Sequence, residues 1–300
     1  MIGFGQFTMI PDANFEQKLI NLGYDNGAIN GSVYTAMINT ITSLDVEYSN
    51  ISDLTGIEDF TALTYLNCNS NQLTSLDVSQ NTALTYLYCY SNQLTSLDVS
   101  QNTALIDLNC HINQITSLDV SANTALINLY CLLNQLTSLD VSGATALTTL
   151  WCWDNQLTSL DVSQNTALYR LNCNSNQLTS LDVSQNTALT YLYCNSNQLT
   201  SLDVRNGNNT NMVYFDSESN PSLSCINVDD FQYSLFNWTY IDTQHYFSNN
   251  CSPSAIEENS TNKELLKVTD LLGRETKGTK NEVLFYIYDD GTVEKRIVIE

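Results

Sequence analysis

Apolar residues recur at fixed spacings along residues 63–204, and the whole pattern repeats every 21 positions. Residues 84–104 read LTYLYCYSNQLTSLDVSQNTA, and residues 105–125 read LIDLNCHINQITSLDVSANTA. Each unit contains L-x-x-L-x-C-x-x-N followed by L-x-x-L-x-V-x-x-N. Within each half the alternation of apolar and polar residues predicts a short strand, and the Asn that follows predicts a turn. Because one unit cannot bury its apolar side alone, neighbouring units must stack around a shared core.

The L-x-x-L-x-C-x-x-N-x-L run resembles the leucine-rich repeat, with Cys where that family usually has a third Leu. The resemblance covers roughly residues 41–226, and the longer coil at residues 41–60 is similar to the internalin type of repeat. It implies a repeat solenoid with a parallel β-sheet on its concave face and a second face of short strands.

Two rows of Asn and one row of Cys run through the repeats. We expect the first Asn row to lie inside the turns, where side-chain amides satisfy backbone groups that the bend leaves unpaired. The second row is interrupted at Ala144. The first row is Asn71, Asn92, Asn113, Asn134, Asn155, Asn176 and Asn197, and the second is Asn81, Asn102, Asn123, Asn165 and Asn186.

The Cys row occupies an inward strand position. Neighbouring coils lie ~4.8 Å apart, whereas the Cβ atoms of a disulfide lie ~3.8 Å apart. We therefore predict seven reduced, buried thiols. A metal–thiolate ladder is the alternative, but the row lacks the paired short spacings of zinc sites. The row consists of Cys68, Cys89, Cys110, Cys131, Cys152, Cys173 and Cys194.

The N-terminal residues predict a helical cap at residues 10–40. Asp12 can cap a helix whose apolar stripe contains Phe15, Leu19 and Leu22, and Gly23 can end it. Residues 1–9 resemble the end of a secretory signal peptide, and we expect the sequence to begin inside one.

The 21-residue register fails near the C-terminal end of the solenoid, where aromatic residues cluster, and residues 227–251 predict a C-terminal cap. Cys225 and Cys251 bracket this segment. We predict a disulfide between them, which would contribute about 3–4 kcal/mol in the chain-entropy model. Such a bond indicates an oxidising compartment.

Residues 252–262 are a polar linker, and residues 263–300 change character. This last segment holds seven of the ten Lys and Arg residues and alternates like short strands, with a hairpin-turn signal at residues 289–291. Its motifs, from Lys267 to Arg274 and from Leu284 to Ile287, resemble the C-terminal sorting domain of the type IX secretion system of Bacteroidetes. The resemblance implies that the type IX machinery is a partner and that the protein is secreted or displayed on the outer cell surface.

Charge and composition exclude several functions. The formal net charge of −22 disfavours nucleic acids and anionic membrane surfaces as partners. No apolar run approaches the ~20 residues of a membrane-spanning helix. With two His and no recognisable catalytic constellation or phosphate loop, the sequence predicts a non-enzymatic protein without metal or cofactor.

The outward positions of the second half-repeat scarcely vary. They read Ser-x-Asp-x-Ser from Ser75/Asp77/Ser79 to Ser180/Asp182/Ser184, and we call them the Ser-Asp-Ser wall. Carboxylates about 5 Å apart repel. An alternative function is therefore a structural or matrix protein in which this wall binds calcium weakly.

The outward positions of the first half-repeat vary and are rich in Tyr and Trp. Because every coil serves the same fold, folding does not dictate these choices; the alternatives are random drift after duplication and selection for binding. Aromatic residues are typical interface anchors. We predict a secreted or cell-surface recognition module that binds a protein or a glycan through Tyr86, Tyr88, Tyr90, Tyr130, Trp151, Trp153, Tyr191 and Tyr193.

Removal of residues 254–300 tests the predicted C-terminal module. A chain that ends at Pro253 should keep its melting temperature within a few degrees, because a segment behind a polar linker makes few core contacts. In a host with type IX machinery, fractionation should find the truncated chain in the periplasm. Normal surface delivery of the truncated chain would contradict the sorting-domain prediction.

Overall fold

The computed structural model describes residues 6–251, 265–269, 274–276, 283–288 and 293–297. The chain divides into two compact units, Met1–Cys251 and Ser252–Glu300. The predicted linker at 252–262 lies outside the described residues.

The N-terminal cap contains the helix that the sequence predicts. The Asp12 carboxylate accepts the backbone N–H groups of Asn14 and Phe15 at 2.9 and 3.0 Å, and Gly23 ends the helix with a φ of 79°. This positive φ suits glycine, which has no Cβ. The cap consists of β1 (Phe7–Met9), α1 (Ala13–Leu22), β2 (Ser32–Tyr34) and α2 (Thr35–Ile38), with β1 and β2 antiparallel.

The buried side of α1 differs in part from the predicted apolar stripe. Phe15 and Leu19 are fully buried, but Leu22 is 38% exposed. Glu16 is buried instead, and its carboxylate accepts the backbone N–H groups of Asn30 and Gly31 at 2.7 and 2.8 Å. The helix thus holds the following loop through a charge-assisted hydrogen-bond pair, which the apolar pattern does not reveal.

The stacked coils follow the cap, and each contributes a three-residue strand. The strands are β3 (Ser43–Asp45), β4 (Tyr65–Asn67), β5 (Tyr86–Tyr88), β6 (Asp107–Asn109), β7 (Ser117–Asp119), β8 (Asn128–Tyr130), β9 (Ser138–Asp140), β10 (Thr149–Trp151), β11 (Arg170–Asn172), β12 (Ser180–Asp182), β13 (Tyr191–Tyr193), β14 (Ser201–Asp203), β15 (Tyr214–Asp216), β16 (Cys225–Asn227) and β17 (Tyr246–Ser248). Short 3₁₀ turns lie at Ile57–Asp59 and Asn209–Asn211, and α3 spans Phe231–Asn237.

The first half-repeats form a nine-stranded parallel sheet in the order β3-β4-β5-β6-β8-β10-β11-β13-β15. Equivalent residues pair from coil to coil, so that Leu66 lies beside Leu87 and Leu87 beside Leu108. The second half-repeats form two shorter parallel sheets, β7-β9 and β12-β14-β16-β17. The predicted leucine-rich repeat solenoid, with one long sheet and a second face of short strands, is confirmed.

The Cys row lies in the core that the coils share. All seven thiols are free and fully buried. Burial raises the pKa of Cys68, Cys110 and Cys173 to about 12, because an apolar environment disfavours the thiolate. The row therefore packs as a column of small apolar side chains, as predicted.

The first Asn row closes the turns from within. Asn92 is representative: its Oδ1 accepts the N–H of Leu73 at 3.0 Å, and its Nδ2 donates to the carbonyls of Cys68 and Cys89 at 3.0 and 3.1 Å. Each amide therefore joins its own coil to the preceding one. Asn220 continues the ladder past the predicted row by donating to the Cys194 carbonyl at 3.1 Å.

The second Asn row also joins neighbouring coils. Asn102 donates from Nδ2 to the carbonyls of Val78 and Asn81 at 2.9 and 3.0 Å. Ala144 takes the place of Asn in one coil and is fully buried. The residue before it, Gly143, passes so close to the preceding coil that an added Cβ would lie 1.7 Å from the Ser121 carbonyl oxygen. Any larger residue at position 143 would therefore force the two coils apart.

The predicted C-terminal cap continues the parallel stacking. β17 pairs with β16, and the predicted disulfide between Cys225 and Cys251 is confirmed. Trp238 is buried with its ring 4.3 Å from that of Phe215. Other aromatic residues of this segment face solvent: Phe231 is 46% and Phe236 80% exposed.

The second unit contains an antiparallel sheet of β18 (Leu265–Thr269), β19 (Val283–Tyr288) and β20 (Val293–Ile297), with β19 in the centre. These strands coincide with the alternating segments of the sequence. The predicted hairpin turn at residues 289–291 lies outside the described residues. Across the described parts of both units, no helix combines the length and apolar character needed to cross a membrane.

Replacement of a ladder residue tests the role of the first Asn row. We expect Asn92→Ala to lower the free energy of unfolding by about 2 kcal/mol, because it leaves the buried N–H of Leu73 without a partner and removes one of the two amide donors from each of the Cys68 and Cys89 carbonyls. The shift of the urea-unfolding midpoint measures this loss. Gln93→Ala removes an exposed amide next to it and is the matched control. Equal shifts in the two variants would contradict the role of the ladder.

Thiol counting tests the Cys row. In the native protein at pH 8, a thiol-specific reagent should label none of the seven, because they are buried and their pKa values are raised. In denaturant without reductant it should label seven, since Cys225 and Cys251 are bonded to each other. A denatured count near one would show that the row is oxidised.

Candidate functional site

The outward side of the nine-stranded sheet carries three columns of side chains, which we call the aromatic face. Each strand places one residue before its buried central position and one after it, and a third follows two residues later. Strand pairing aligns the first column as Tyr65, Tyr86, Asp107, Asn128, Thr149, Arg170, Tyr191 and Tyr214. The same pairing aligns the second column as Asn67, Tyr88, Asn109, Tyr130, Trp151, Asn172, Tyr193 and Asp216.

All eight predicted aromatic residues lie on this face, with Tyr90 and Trp153 in the third column. Of the eight, only Tyr86 is exposed, at 39%; the others are half-buried. They do not form one continuous patch. Seven of the eight rings contact a neighbouring ring, and these contacts fall into separate groups; Trp153 is the eighth.

The group nearest the N-terminus is built around Tyr65. Its ring centroid lies 5.6 Å from that of Tyr88 in an edge-to-face contact at 86°, and 6.4 Å from that of Tyr86. Edge-to-face pairs of this kind are favoured by the quadrupoles of the two rings. The sequence-based site omitted Tyr65, although it occupies the same repeat position as Tyr86.

A second group lies at the centre of the face. Tyr130 meets Trp151 edge to face, with centroids 5.5 Å apart at 85°. Beside it, Tyr90 stacks on His111 at 4.4 Å, and the His111 ring also hydrogen-bonds the side chain of Asn109. Burial lowers the pKa of His111, so its imidazole is neutral at pH 7.

The third group contains a cation. The Arg170 guanidinium lies 4.7 Å from the ring centroid of Tyr191 and 5.5 Å from that of Tyr169. Farther along, Tyr193 stacks on Tyr214 at 4.5 Å. The sequence-based site missed Tyr214, because it lies beyond the last regular repeat and pairs with Tyr191, 23 rather than 21 residues earlier.

One carboxylate lies in the middle of the aromatic face. Asp107 is half-buried, and its Oδ2 accepts a hydrogen bond from Nδ2 of Asn128 at 2.9 Å. Burial raises the pKa of this carboxyl group. Carboxylates also lie at both ends of the face, with Asp45 and Glu47 at one end and Asp216 and Glu218 at the other.

Comparison with known proteins agrees with this architecture. No protein-family model matches the chain. A stretch of 71 residues, 24% of the chain, is 41% identical to Internalin J of Listeria monocytogenes serotype 4b (strain F2365) and covers 8% of that protein's length. The crystal structure of internalin C2 from the same strain matches 80% of this chain and 94% of its own, with 19% identity and a TM-score of 0.54. This chain is an internalin-like leucine-rich repeat protein.

The functional domain of InlJ from Listeria monocytogenes, which includes a cysteine ladder, is 32% identical to this chain. The match covers 76% of this chain and 67% of the InlJ domain, with a TM-score of 0.36.

Three outward positions of the first half-repeat are buried. Asn67 and Asn69 are 5% and 1% exposed, because both donate to the Glu47 carboxylate, at 3.1 and 2.9 Å. Leu132 is also buried, at 7%. Strand alternation predicts which way a side chain leaves the backbone but not whether a neighbour covers it.

The Ser-Asp-Ser wall satisfies its carboxylates locally. Asp77 accepts the backbone N–H of Ser79 at 2.9 Å, and Asp98 accepts that of Ser100 at the same distance. These backbone hydrogen bonds lower the pKa of both carboxyl groups, so they outweigh the repulsion between neighbouring coils. The described residues contain no group of three or more His, Cys, Asp or Glu side chains placed to hold a metal ion.

A buried Ser–His–Asp contact lies at the C-terminal end of this internalin-like unit. His245 Nδ1 lies 3.4 Å from the Ser217 hydroxyl, and His245 Nε2 lies 3.4 Å from Asp242 Oδ2. Nδ1 also accepts the Asp242 N–H at 3.2 Å. Ser217 is fully buried and His245 is 7% exposed. Because no substrate can reach the hydroxyl, the contact closes a turn and supplies no nucleophile. Sequence analysis found no partner for His245, since Ser217 lies 28 residues away.

Proposed function

We propose that this protein is a non-enzymatic extracellular recognition module whose aromatic face binds a partner protein. One observation carries the proposal. The seven coils of the Cys row share the same inward Leu and Cys positions and the same turn Asn, yet the outward residues of the first half-repeat differ from coil to coil and concentrate Tyr and Trp. Stacking requires none of these rings, so a requirement outside folding accounts for them.

The partial burial of the aromatic rings and their contacts with one another support a binding function. Most are half-buried and held by a neighbouring ring, as in the pairs Tyr65–Tyr88 and Tyr130–Trp151. A ring that is already ordered loses little side-chain entropy when a partner covers it. Rigid Tyr and Trp side chains give large contact areas at low entropic cost, which is why they dominate interface energetics.

The extracellular location rests on two features. The Cys225–Cys251 disulfide is typical of proteins that mature in an oxidising compartment. The second feature is the last unit, whose sequence motifs resemble a type IX sorting domain. We propose that residues 263–300 direct export and that the solenoid acts at the cell surface or beyond it.

A double substitution at the centre of the aromatic face tests the binding function. We expect Trp151→Ala with Trp153→Ala to weaken partner binding about thirtyfold, because truncation of a central interface aromatic commonly costs ~2 kcal/mol or more. The full chain would be screened against an array of purified cell-surface proteins and glycans. The affinity of each ligand would then be measured for wild type and variant, with circular dichroism to check folding.

Asp119→Asn with Asp140→Asn is the matched control on the Ser-Asp-Ser wall. This pair should leave affinity nearly unchanged and alter mainly the salt dependence of the association rate. Unchanged affinity in the folded Trp variant would contradict the proposal. If the Asp pair then abolished binding, the alternative of a structural protein that uses its Ser-Asp-Ser wall would be favoured. If a glycan binds and its affinity depends on the Trp pair, the aromatic face would remain the proposed binding site, but the partner would be a glycan instead of a protein.

A further inference from the structure

Asp107 is an unpaired carboxylate on a face made of aromatic rings. Ion pairs of the solenoid unit join Arg205 to Asp203 and His245 to Asp242, and neither involves Asp107. Its one hydrogen bond comes from a neutral amide, that of Asn128. A half-buried carboxylate has lost part of its hydration. A cation on a binding partner would replace the lost stabilisation of the negative charge.

The strands on either side of β6 place two rings beside Asn109, two residues after Asp107. Asp107 and Asn109 both point outward from β6. Tyr88 on β5 and Tyr130 on β8 lie directly opposite Asn109, one on each side. Neighbouring strands are ~4.8 Å apart, so the two tyrosines lie roughly 10 Å apart. A planar cation that enters above Asn109 would therefore have one tyrosine on each side, the arrangement that cation–π attraction uses.

We call the space lined by Asp107, Tyr88, Tyr130 and Asn109 the slot, and other side chains fix the positions of these four residues. Tyr65 contacts the Tyr88 ring and Trp151 contacts the Tyr130 ring, both in edge-to-face pairs at 5.6 and 5.5 Å. Asn109, which lies between the two tyrosines, forms a hydrogen bond with the His111 ring. The carboxylate itself is oriented by Asn128. A preorganised site of this kind pays little ordering cost when it binds.

The same face already binds one guanidinium group from within the chain. Arg170 lies over the rings of Tyr191 and Tyr169 at 4.7 and 5.5 Å. The ring contacts at Tyr88 and Tyr130 would be of the same kind, with the addition of a carboxylate. A planar guanidinium can stack against a ring while its N–H groups donate to Asp107, which a compact ammonium group does less well.

We propose that the slot formed by Asp107, Tyr88, Tyr130 and Asn109 binds the guanidinium group of an arginine side chain on the partner protein. This inference rests on the proposed function and specifies the chemistry of its ligand. It agrees with the net charge of −22, which attracts a basic partner over long range.

The experiment uses the full chain and three short blocked peptides that differ at one position. The acetyl-Gly-Arg-Gly amide carries the guanidinium, its citrulline analogue has nearly the same shape without the charge, and its lysine analogue carries an ammonium group. Titrations followed by amide-resonance shifts should show saturable binding of the arginine peptide, with a Kd on the order of millimolar. The citrulline peptide should bind at least about tenfold more weakly, and the lysine peptide should fall between the two.

Two variants locate the site. Asp107→Asn keeps the size of the side chain and should weaken the arginine peptide about tenfold or more. Asp98→Asn removes an equal charge from the exposed Ser-Asp-Ser wall and is the matched control, with no expected change. Tyr88→Leu should weaken binding less than Asp107→Asn does, since it removes one ring and leaves the carboxylate. Thermal unfolding verifies that all three variants are folded.

Several results would overturn the inference. They are no saturable binding to the wild type, equal affinities for the arginine and citrulline peptides, a preference for lysine, or equal affinities in Asp107→Asn and Asp98→Asn. The outcome is separable from that of the proposed function. A partner lost in the Trp151/Trp153 variant but indifferent to Asp107→Asn contradicts only the arginine slot. A partner indifferent both to the Trp pair and to Asp107→Asn, alongside arginine-peptide binding that needs Asp107, contradicts only the proposed function.

Discussion

The hydrogen bonds of the first Asn row are the interaction on which the rest of the structure depends. A polypeptide that turns sharply every half-repeat leaves backbone N–H and carbonyl groups inside the bend, where water cannot reach them. Each Asn amide satisfies groups of its own coil and of the preceding one, as Asn92 does for Cys89, Cys68 and Leu73. Because the amide must reach both coils, it fixes their register as well as their spacing. The pairing of Leu with Leu and the burial of the Cys column follow from that register.

This constraint divides each repeat into positions that cannot vary and positions that can. Inward Leu, Cys and Val residues fill the core, and the Asn residues fill the turns. Outward residues fill neither the core nor the turns. Stacking of the coils therefore does not fix their identity, and binding can select it. On the second half-repeat they remained Ser and Asp, and each Asp accepts a backbone N–H two residues along. On the first half-repeat they diversified into the aromatic face.

In-register stacking also determines what the aromatic face can recognise. Residues from different coils become neighbours at a spacing of about 4.8 Å, so rings from adjacent strands order one another and polar groups lie at regular intervals between them. Asp107 takes its properties from this setting. The same carboxylate on the Ser-Asp-Ser wall would be hydrated and bonded to its own backbone. On the aromatic face, next to Asn128 and two residues before the Asn109 that Tyr88 and Tyr130 flank, it is half-buried and has no cation partner among the described residues, which is why the proposed ligand is basic.

The sequence by itself determined the features that depend on local spacing. The 21-residue period predicted the solenoid, the alternation within each half predicted the inward Cys and Leu columns, and the short-range signals at Asp12 and Gly23 predicted helix α1. The Cys225–Cys251 disulfide could be predicted because only those two Cys lie outside the repeat register. Tertiary structure decided which side chains meet. Asn67 is buried because Glu47 of the preceding coil binds it, and Ser217 contacts His245 across 28 residues. Tyr88 and Tyr130 flank Asn109, two residues after Asp107, because three strands from three coils lie in register. Periodicity predicts the direction of a side chain from its own strand, whereas its burial and its partners depend on residues of other coils, which are brought to it only when the chain stacks.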